Sequence, residues 1–571
     1  MGQGVQERWV IREADDALCQ NIAKECGIHE AVARVLVGRG ITSCEEVNAF
    51  LNPSLQDLLA PTEIPGMREA VEMVGRALSD GKPICVYGDY DVDGLCSTAQ
   101  IVSFFKALGT KVLPFIPNRK EDGYGLQLNR LEALTAKGFK LFISVDCGTN
   151  NREEARFLKE KGCELIVLDH HQVHSLPEEA IVVNPHRQDC VLAFKDFASS
   201  GIVYLFLNAL RSYLGQERAP IKTEDFLDLA TIGTIGDVMP LIGQNRIIAK
   251  FGLPLLRAPK RLGLQAIKEA ARIRNDVNAW AVAFVIAPRL NATGRIGDAN
   301  LSLDLLLSTD VEEARTLAEK LNEDNKARQI LQKQVCDQAV SMLDLEALSH
   351  KALVVWGDGW HEGVIGIVAS EMVEMFHRPA LVLTRKNDIL VGSGRSVSGF
   401  DIGKAIDSLK GFLLRGGGHR LAAGVTLKLK DFSEFCKRFL EIADREIPDD
   451  ALVPEIQIDA VIELKDLNQR LFQDSARLEP FGVGNREPVF MARDVEIRDL
   501  KIVGKNEDHL SLRLKQGKDE KRAVFFSFKE TVSRSFFDEC GKVDIAFTLS
   551  RDGYTGDVIA RIVSIRKGRN A

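Results

Sequence analysis

The sequence lacks the features of membrane proteins and of disulfide-bonded proteins. Among its 571 residues no apolar run reaches the roughly 18 residues that cross a bilayer. Its 11 cysteines are odd in number, scattered and without a C-x-x-C pair, which argues against a disulfide framework and against a zinc ribbon. No internal repeat or low-complexity tract is evident. These absences predict a cytoplasmic protein with reduced thiols and no membrane partner.

The chain also lacks an excess of positive charge. Its formal net charge is −7 and its isoelectric point is near 5.9, which is typical of soluble metabolic enzymes. However, affinity for phosphate backbones depends on local basic surface rather than on the total. Residues 501–571 carry 15 Lys and Arg against 10 Asp and Glu. The charge balance therefore does not decide between a metabolic enzyme and a nucleic-acid-binding protein.

A chain of this length should divide into several domains. From residue 83 to residue 183 short apolar runs alternate with helical patterns, which predicts βαβ units and a parallel sheet. The predicted strands cover 83–88, 111–116, 140–146, 164–168 and 181–183. Residues 199–310 have mostly helical patterns. The fold class predicted for this part is therefore α/β.

Residues 310–348 contain neither Gly nor Pro and have helical periodicity throughout. One helix of this length would span about 58 Å, and the alternative is two helices of a bundle. We prefer one long connecting helix. A second α/β pattern follows it, and residues 456–571 contain short alternating strands that are typical of a small β-barrel. The predicted domains are an N-terminal helical segment (1–60), an α/β domain (61–309), a connecting helix (310–348), a second α/β domain (349–450) and a barrel (451–571).

Four acidic and histidine clusters follow predicted strands or a glycine-rich junction. They are Gly88–Gly94 (GDYDVDG), Asp146 with Cys147 and Gly148, Asp169-His170-His171, and Gly236-Asp237. The carboxyl ends of parallel strands converge on one crevice, where several carboxylates would repel each other unless cations lay between them. Oxygen-rich sites with one or two imidazoles suit Mg²⁺ or Mn²⁺, and two such ions suit phosphoester hydrolysis. The sequence therefore predicts a two-metal hydrolase.

Each cluster also has a simpler explanation. Asp89, Asp91 and Asp93 alternate across a turn leaving a strand, so their side chains should point the same way. A solvated loop would look similar, whereas an EF-hand is excluded because Gln100, not Glu, stands at its twelfth position counted from Asp89. Asp146 alone could be a helix N-cap.

Other residues of these clusters carry signals of unequal strength. Cys147 is a poor candidate nucleophile, because no histidine lies nearby in the sequence to activate it. Adjacent imidazoles at a strand end point in different directions, so one can bind a metal while the other meets a phosphate. Asp237 is a weak signal that gains weight only from the other three clusters.

Taken together, D-x-D, V-D-C-G, D-H-H, a later G-D and a G-G-G-H segment after a long helix resemble the DHH phosphoesterase superfamily. The form Tyr87–Gly94 (YGDYDVDG), the length and the C-terminal barrel are most similar to its branch of bacterial single-stranded-DNA exonucleases. The resemblance runs from about residue 60 to the end. It implies a DHH catalytic domain, a DHHA1-like second domain and an OB-like barrel.

The resemblance also implies a pair of Mn²⁺ or Mg²⁺ ions. The resemblance implies that His171 contacts the scissile phosphate. It also implies that Asp89 is either a metal ligand or a residue that supports the ligands. Asp146 would bridge the two ions. The implied metal ligands are Asp91, Asp93, Asp146, His170 and Asp237.

Substrate contacts are predicted in both α/β domains. Glycines let a backbone approach phosphate closely and His419 could donate to it, although a tight turn is the alternative for Gly416, Gly417 and Gly418. In the segment Ser393-Gly394-Arg395-Ser396 the arginine could clamp a phosphate with two hydrogen bonds. The resemblance implies Arg119, Ser393 and Arg395 near the 5′ phosphate. It also implies a nucleotide-contact segment with Arg289, Asn291 and Arg295.

The resemblance implies an enzyme that degrades single-stranded DNA from the 5′ end, releases nucleoside 5′-monophosphates and acts in recombination and repair. It implies a monomer working beside a single-strand-binding protein and a helicase. Residue types alone indicate only metal-assisted phosphoester cleavage. A relative acting on short RNA or cyclic dinucleotides is disfavoured by the barrel, and a non-catalytic DNA-binding scaffold by the intact ligand set. In the barrel Phe525, Phe526 and Phe528 are candidates for base stacking, and core packing is the alternative.

Overall fold

A computed structural model of the chain describes residues 7–119, 121–274, 276–530, 536–537, 541–553 and 555–568. The chain forms two compact units. Unit I comprises Pro53–Ile330 with Pro480–Arg486, and unit II comprises the chain up to Asn52, Leu331–Glu479 and the chain from Glu487. Within the described ranges, no helix is long and apolar enough to span a membrane.

Unit I contains a five-stranded sheet in which every neighbouring pair of strands is parallel. Its strands are β2 (Ile84–Tyr87), β3 (Val112–Phe115), β4 (Leu141–Val145), β5 (Glu164–Leu168) and β6 (Ile181–Val183), and their spatial order is β3-β2-β4-β5-β6. The strands β2 and β4 are buried along their whole length. Such continuous apolar runs are what a parallel sheet covered on both faces requires. The five predicted strands are therefore confirmed.

Helices cover both faces of this sheet and extend beyond it. They are α4 (Met67–Ser79), α5 (Val92–Ala107), α6 (Leu128–Ala136), α7 (Arg152–Glu160), α8 (Ser199–Leu214), α9 (Leu227–Gly236), α10 (Gly243–Arg257), α11 (Leu262–Ala270), α12 (Ala279–Ala281), α13 (Ala287–Ile296) and α14 (Asn300–Leu307). A five-residue π-helical segment, Val282–Ile286, joins α12 to α13, so the helical backbone is continuous over residues 279–296. Residues 199–310 are mostly helical, as predicted.

The sheet core fixes the carboxyl ends of the strands. On one face Val86, Ile143 and Ile166 pack with residues of α4, α5 and α8. On the other face Phe142 and Leu165 pack with residues of α6 and α7. Because interiors are close-packed, the loops that follow β2, β4 and β5 begin from well-defined positions.

One helix, α15 (Val311–Ser341), crosses the sequence boundary between the units. The prediction of a single helix rather than two is confirmed. The helix ends at Ser341, before the predicted limit at residue 348.

Unit II has a mixed five-stranded sheet of order β10-β11-β9-β8-β7. Its strands are β7 (Leu353–Asp358), β8 (Ala380–Lys386), β9 (Ile389–Arg395), β10 (Leu413–His419) and β11 (Ala422–Lys428), with helices α16 (Glu362–Phe376), α17 (Ile402–Ser408) and α18 (Phe432–Glu446). Only β7 and β8 pair in parallel; the other pairs are antiparallel. Residues 416–419, expected to form a loop or tight turn, lie instead in the edge strand β10.

The C-terminal strands close into a barrel. They are β13 (Ala460–Val461), β14 (Phe490–Val503), β15 (His509–Gln516), β16 (Asp519–Phe525), β17 (Val543–Arg551) and β18 (Val558–Lys567). Pairing runs β14-β15-β16-β18-β17 and returns to β14, while β13 adds beside β14. A closed five-stranded barrel is the OB-like architecture that was predicted. Phe525 and Phe528 are core residues, whereas Phe526 is 54% exposed.

The N-terminal segment contributes one strand and three helices to unit II. They are β1 (Arg8–Ile11), α1 (Asp16–Glu25), α2 (Glu30–Gly38) and α3 (Cys44–Leu51). Strand β1 pairs in parallel with β12 (Glu455–Ile458), and α19 (Gln469–Ala476) follows later in the chain. The first strand therefore depends on a partner from the last quarter of the sequence.

Candidate active site

The first acidic cluster forms a strand-to-helix turn. Asp91 is the N-cap of α5, and its Oδ1 accepts hydrogen bonds from the backbone N–H groups of Asp93 (3.0 Å) and Gly94 (3.1 Å). A Cβ on Gly94 would lie 2.6 Å from the Asp89 carbonyl oxygen, so glycine lets the helix start this close to the strand end. The expected common direction of the three side chains holds for Asp89 and Asp91, whose ligand atoms lie within 4.8 Å of each other, whereas Asp93 lies in the first turn of α5 and belongs to a different group of donor atoms. A helix N-terminus, which favours negative charge, holds two of these carboxylates.

Asp146 directly follows β4 and has a left-handed backbone conformation with φ of 61°. Asp and Asn adopt this region more readily than most residues. The Ser199 hydroxyl donates to Asp146 Oδ1 over 3.0 Å. The backbone N–H groups of Ser199 and Ser200 donate to Asp93 over 2.7 and 3.0 Å. The start of α8 thus fixes two carboxylates that come from different strands.

The two tandem histidines diverge at the end of β5. His170 Nε2 lies 3.4 Å from Asp146 Oδ1 and 3.5 Å from Asp237 Oδ2. His171 Nδ1 lies 2.7 Å from Asp169 Oδ1, and this same oxygen accepts the His170 N–H over 2.8 Å. One imidazole therefore points into the carboxylates, and the neighbouring carboxylate orients the other.

Asp237 reaches the cluster because α9 packs tightly against α5. A Cβ on Gly233 would lie 2.5 Å from Asp93 Oδ1, and a Cβ on Gly236 would lie 2.5 Å from a Val92 methyl group. Val238, the next residue, has φ of 61°, which is strained for a β-branched side chain. Strain at this position is consistent with a backbone held in place by its surroundings.

These residues form two adjoining groups of donor atoms. Within each group the ligand atoms lie within 4.8 Å of one another. Asp146 also belongs to a third such group with Asp169, His170 and His171. The first group is Asp89, Asp91 and Asp146, and the second is Asp93, His170 and Asp237.

The electrostatics of the cluster favour cations. Burial and the neighbouring carboxylates raise the pKa of Asp89, Asp146 and Asp237 well above the usual range. Among the described residues, Asp89 Oδ1 and Asp237 Oδ2 are buried without a hydrogen-bond partner. Burial lowers the pKa of His170, which favours the neutral imidazole that binds metals. Oxygen donors with one imidazole suit Mn²⁺ or Mg²⁺.

The pKa of His171 is shifted in the opposite direction to that of His170. Burial alone would lower its pKa, but the hydrogen bond and charge of Asp169 outweigh burial and raise the pKa of His171 to about 9. Burial would raise the pKa of Asp169, yet His171 and His170 hold it below its usual range. Asp169 and His171 thus stabilise each other's charged form.

Sequence reasoning assigned no role to two residues of this site. Asp169 accepts hydrogen bonds from both histidine N–H groups and from Thr149 N–H. The Tyr124 hydroxyl donates to the Asp146 carbonyl over 3.2 Å and lies 3.1 Å from His171 Nε2. The signal for Asp169 was its place beside tandem histidines, because histidine ligands commonly donate a hydrogen bond from their other ring nitrogen to a carboxylate. The signal for Tyr124 was its place between two glycines in a polar loop.

Of the predicted substrate residues of unit I, Asn291 and Arg119 contact the first cluster. Asn291 Oδ1 accepts the Val92 N–H over 2.7 Å. The Arg119 guanidinium carbon lies 5.4 Å from the centre of the Tyr90 ring. Arg289 donates to Asn322 Oδ1 (3.1 Å) and to the Val285 carbonyl (2.7 Å). Arg295 follows Asn291 by four residues on α13 and is half-buried.

The predicted residues of unit II occupy adjacent strands. Arg395 Nη1 donates to Ser393 Oγ over 3.0 Å and to the Gly394 carbonyl over 2.8 Å. The Ser396 hydroxyl instead donates to the Phe400 carbonyl over 2.8 Å. Arg395 is thus held in a fixed orientation at the end of β9.

The glycine run of β10 has two structural explanations. A Cβ on Gly418 would lie 2.4 Å from the Ala422 carbonyl oxygen, so packing excludes a side chain there. A Cβ on Gly417 would meet nothing within 4 Å. His419 is exposed and Gly416 pairs with Val425. Packing explains Gly418, whereas Gly417 leaves the backbone accessible.

Three family models match the chain. They are the DHH family, N-terminal domain, over residues 83–234; the DHHA1 domain over residues 349–445; and the RecJ OB domain over residues 458–563. The first contains three of the four clusters and ends before Gly236-Asp237, and the second contains Arg395 and the glycine run. The three matches follow one another in the order predicted for the domains.

Curated relatives and solved structures agree with these matches. The single-stranded-DNA-specific exonuclease RecJ of Bacillus subtilis is 35% identical over 91% of this chain, which spans 66% of that relative's length. The protein of the same description from Salmonella typhimurium is 33% identical over 84% of this chain and 85% of its own. The crystal structure of RecJ in complex with Mn²⁺ from Thermus thermophilus superimposes with a TM-score of 0.85, with 32% identity over 99% of this chain and 80% of that chain. This chain therefore belongs to the RecJ family of DHH proteins.

Proposed function

We propose that this chain is a single-stranded-DNA-specific 5′→3′ exonuclease that releases nucleoside 5′-monophosphates in recombination and repair. The observation that carries the proposal is the pair of adjoining donor groups, in which five buried or half-buried aspartates and His170 converge at the ends of parallel strands. The relatives named single-stranded-DNA-specific exonucleases support the substrate and the reaction.

Asp89, Asp91 and Asp146 would hold one divalent ion, and Asp93, His170 and Asp237 would hold the other. The buried oxygens of Asp89 and Asp237 that accept no hydrogen bond and the raised carboxyl pKa values fit this assignment. When bound, Mn²⁺ or Mg²⁺ lowers the pKa of water and stabilises charge on the attacking and leaving oxygens.

The chain itself supplies a proton donor at the phosphate. His171 is held by Asp169 Oδ1, whose hydrogen bond and charge raise the pKa of the imidazole. In this orientation it would donate a hydrogen bond to a non-bridging oxygen of the scissile phosphate, and Tyr124 would limit rotation of the ring. Charge-assisted hydrogen bonds of this kind strengthen as negative charge develops. Asp169 and Tyr124 are positioning residues in this scheme.

Strand polarity would come from contacts with the terminal phosphate. Arg119, Ser393 and Arg395 would bind the 5′ phosphate, because a guanidinium held by neighbouring oxygens keeps its donor fork oriented. Neighbouring nucleotides would meet a further set of residues. That set is Arg289, Asn291, Arg295, Ser396, Gly416, Gly417, Gly418 and His419.

The barrel would bind the strand beyond the site. Barrels of this type hold single strands in basic grooves with base stacking, and Phe526 presents an exposed ring beside His509. We also propose the five domains stated above, a monomeric cytoplasmic enzyme, and a single-strand-binding protein and a helicase as partners.

Digestion of end-labelled DNA tests the proposal. Matched single-stranded and duplex substrates, labelled at the 5′ or the 3′ end, are incubated with Mn²⁺ or with EDTA. The expected result is immediate release of 5′-labelled mononucleotide from single strands only, lost in EDTA and in Asp146→Ala. The control variant is Asp225→Ala, a surface carboxylate of unit I paired with Lys260. Binding without cleavage would favour a scaffold, and cleavage confined to dinucleotides would favour a small-substrate enzyme.

A further inference from the structure

Unit I exposes two large aromatic rings side by side. Trp280 is 62% exposed and Phe284 is 65% exposed. Their ring centroids lie 5.6 Å apart with planes inclined by 31°. Burying such rings away from water is strongly favourable. A contiguous exposed pair of this size therefore marks a contact surface rather than ordinary scattered exposure.

The helix that carries the rings also touches the metal-ligand cluster. Its continuous backbone runs over residues 279–296. Ala287 Cβ would lie 3.2 Å from a Cβ on Gly236, the residue before Asp237. Further along, Asn291 accepts the Val92 N–H between two aspartates of the first cluster. At about 1.5 Å per residue, Trp280 lies roughly 10 Å along the helix axis from Ala287.

This helix changes from aromatic to polar side chains in the direction of the cluster. Trp280 and Phe284 are exposed, and Pro288, Asn291 and Arg295 are half-buried. Spacings of three and four residues place Pro288, Asn291 and Arg295 on one face of α13, and Trp280 and Phe284 precede them along the same continuous helix. Single strands are recognised by this combination, in which rings stack on bases and arginine meets the backbone.

The backbone beneath the rings is itself unusual. The π-helical segment Val282–Ile286 lies between the residue of the first ring and the first residue that packs at the cluster. Segments of this kind occur mostly as single turns and are frequent at functional sites. Phe284 lies inside the segment, so the altered turn sets the direction of its ring relative to Trp280.

We propose that Trp280 and Phe284 form a stacking platform for bases of the single strand whose 5′ end lies at the metal-ligand cluster. The proposal rests on the proposed function, because it takes single-stranded DNA as the occupant. The continuity of the helix with Asn291 and Arg295 favours DNA over a second copy of the chain. Stacking accepts every base, which suits an enzyme that degrades any sequence.

Binding without catalysis is the first test. The affinity of the full chain for a short fluorescent oligothymidylate is measured in EDTA for the wild type, Trp280→Ala, Phe284→Ala and Trp280→Phe. Loss of one ring should weaken binding by about 5- to 100-fold. Trp280→Phe, which keeps an aromatic ring, should bind with most of the wild-type affinity. Tyr213→Ala, which removes another ring of unit I that is 53% exposed, should leave the affinity unchanged. Equal affinity of all variants would overturn the proposal.

Abasic substrates give the second test. One abasic nucleotide is moved along an oligothymidylate, and kcat/KM for release of the 5′ nucleotide is measured. In the wild type the abasic nucleotide should lower kcat/KM at one or two positions only. At those positions Trp280→Ala should show no further loss, because the base and the ring form one interaction. Additive losses at every position would overturn the proposal.

The two tests separate the platform from the nuclease activity. Ring-dependent binding without any cleavage by the wild type would retain the platform and reject the proposed function. Cleavage by the wild type, together with DNA binding that does not depend on the rings, would retain the proposed function and reject the platform. If sedimentation shows a dimer of the wild type that Trp280→Ala abolishes, while DNA affinity stays unchanged, the surface belongs to self-association and the platform is rejected.

Discussion

The buried Asp146 carboxylate should destabilise the metal-free protein. The substitution Asp146→Asn is therefore expected to increase the free energy of unfolding of the metal-free protein. The carboxyl group is buried, and burial together with Asp91, Asp93 and other carboxylates raises its pKa well above the usual range. Asparagine tolerates the left-handed backbone found at this position. Its amide oxygen can still accept the Ser199 hydroxyl. The substitution therefore removes a charge while keeping the local geometry.

The structure gives the size of the effect. The ligand atoms of Asp89, Asp91 and Asp146 lie within 4.8 Å of one another. Two unit charges at that distance repel by about 3–4 kcal/mol at an effective dielectric constant of 20. Proton uptake relieves this repulsion at low pH, so the full gain for the variant, about 3–4 kcal/mol, is expected only at high pH. For a unit of this size the gain corresponds to a rise in Tm of roughly 5 °C.

The pH dependence has a definite sign. The pKa of Asp146 in the folded protein lies above the value in the unfolded chain, so the wild type loses stability as pH rises through the folded pKa. Near pH 4 the carboxyl is protonated in the folded state and the two proteins should be similarly stable. The advantage of the variant should therefore grow between pH 4 and alkaline pH.

Thermal unfolding after dialysis against EDTA, followed by circular dichroism across this pH range, measures the difference. The matched control is Asp228→Asn. Asp228 is a buried aspartate of the same unit, also with a pKa raised by burial, but it is paired with Arg261 over 2.9 Å. Breaking that pair should cost about 3–5 kcal/mol. Added Mn²⁺ should raise the Tm of the wild type more than that of Asp146→Asn. A drop in Tm for Asp146→Asn in EDTA as large as that for Asp228→Asn would refute the reasoning.

Three further predictions follow from single contacts. In the metal-free protein the His171 imidazole should titrate near pH 9 by NMR, so its contribution to stability is present below the usual pKa of about 6.5 and lost as pH rises through 9. Asp169→Asn should bring that midpoint toward 6.5 and lower the exonuclease rate by about 10- to 100-fold, and an unchanged midpoint would contradict the assigned ion pair. Gly294→Ala would place a Cβ 2.5 Å from the Tyr90 carbonyl oxygen, so Tyr90 and the aspartates beside it should shift. This shift should lower the exonuclease rate at least about tenfold and reduce the free energy of unfolding in urea by about 1–3 kcal/mol. An unchanged rate would show that helix α13 can move away freely. Arg395→Lys removes a planar donor fork, so the KM for 5′-phosphorylated strands should rise about tenfold or more, with little change for 5′-hydroxyl strands; equal changes for both ends would remove Arg395 from the 5′ phosphate.

The sequence was sufficient to predict the fold class and the family. Strands β2, β4 and β5 are continuous apolar runs because helices cover both faces of a parallel sheet. Each run ends at an acidic or histidine cluster, and the rule that parallel strands converge brings those clusters together. The predicted convergence of Asp146, His170 and Asp237 in one place matches their positions in the structure. In this part of the chain, the side-chain pattern and the sheet topology therefore predict the same site.

Backbone-determined features were harder to predict. Strand β10 was expected to be a turn, because glycines carry no side-chain period that could indicate a strand. The alternation expected for the first cluster does not extend to Asp93, because Asp91 caps a helix and Asp93 lies in the first turn of that helix. The role of Asp169 depends on hydrogen bonds that motif spacing does not specify. The assignment of individual site residues to metal or substrate remains a prediction.

The parallel pairing of β1 with β12 has a consequence for folding during synthesis. Arg8 and Glu455, which form an ion pair across these strands, are 447 residues apart. At about 5–20 residues per second, a ribosome needs roughly 20–90 s to produce the partner of the first strand. All of Pro53–Ile330 emerges during that interval, so most of unit I can fold before unit II has its last strands. The first strand is therefore an unpaired edge for most of translation, open to other nascent chains or to a chaperone, and a fragment that ends before residue 455 would keep that edge permanently.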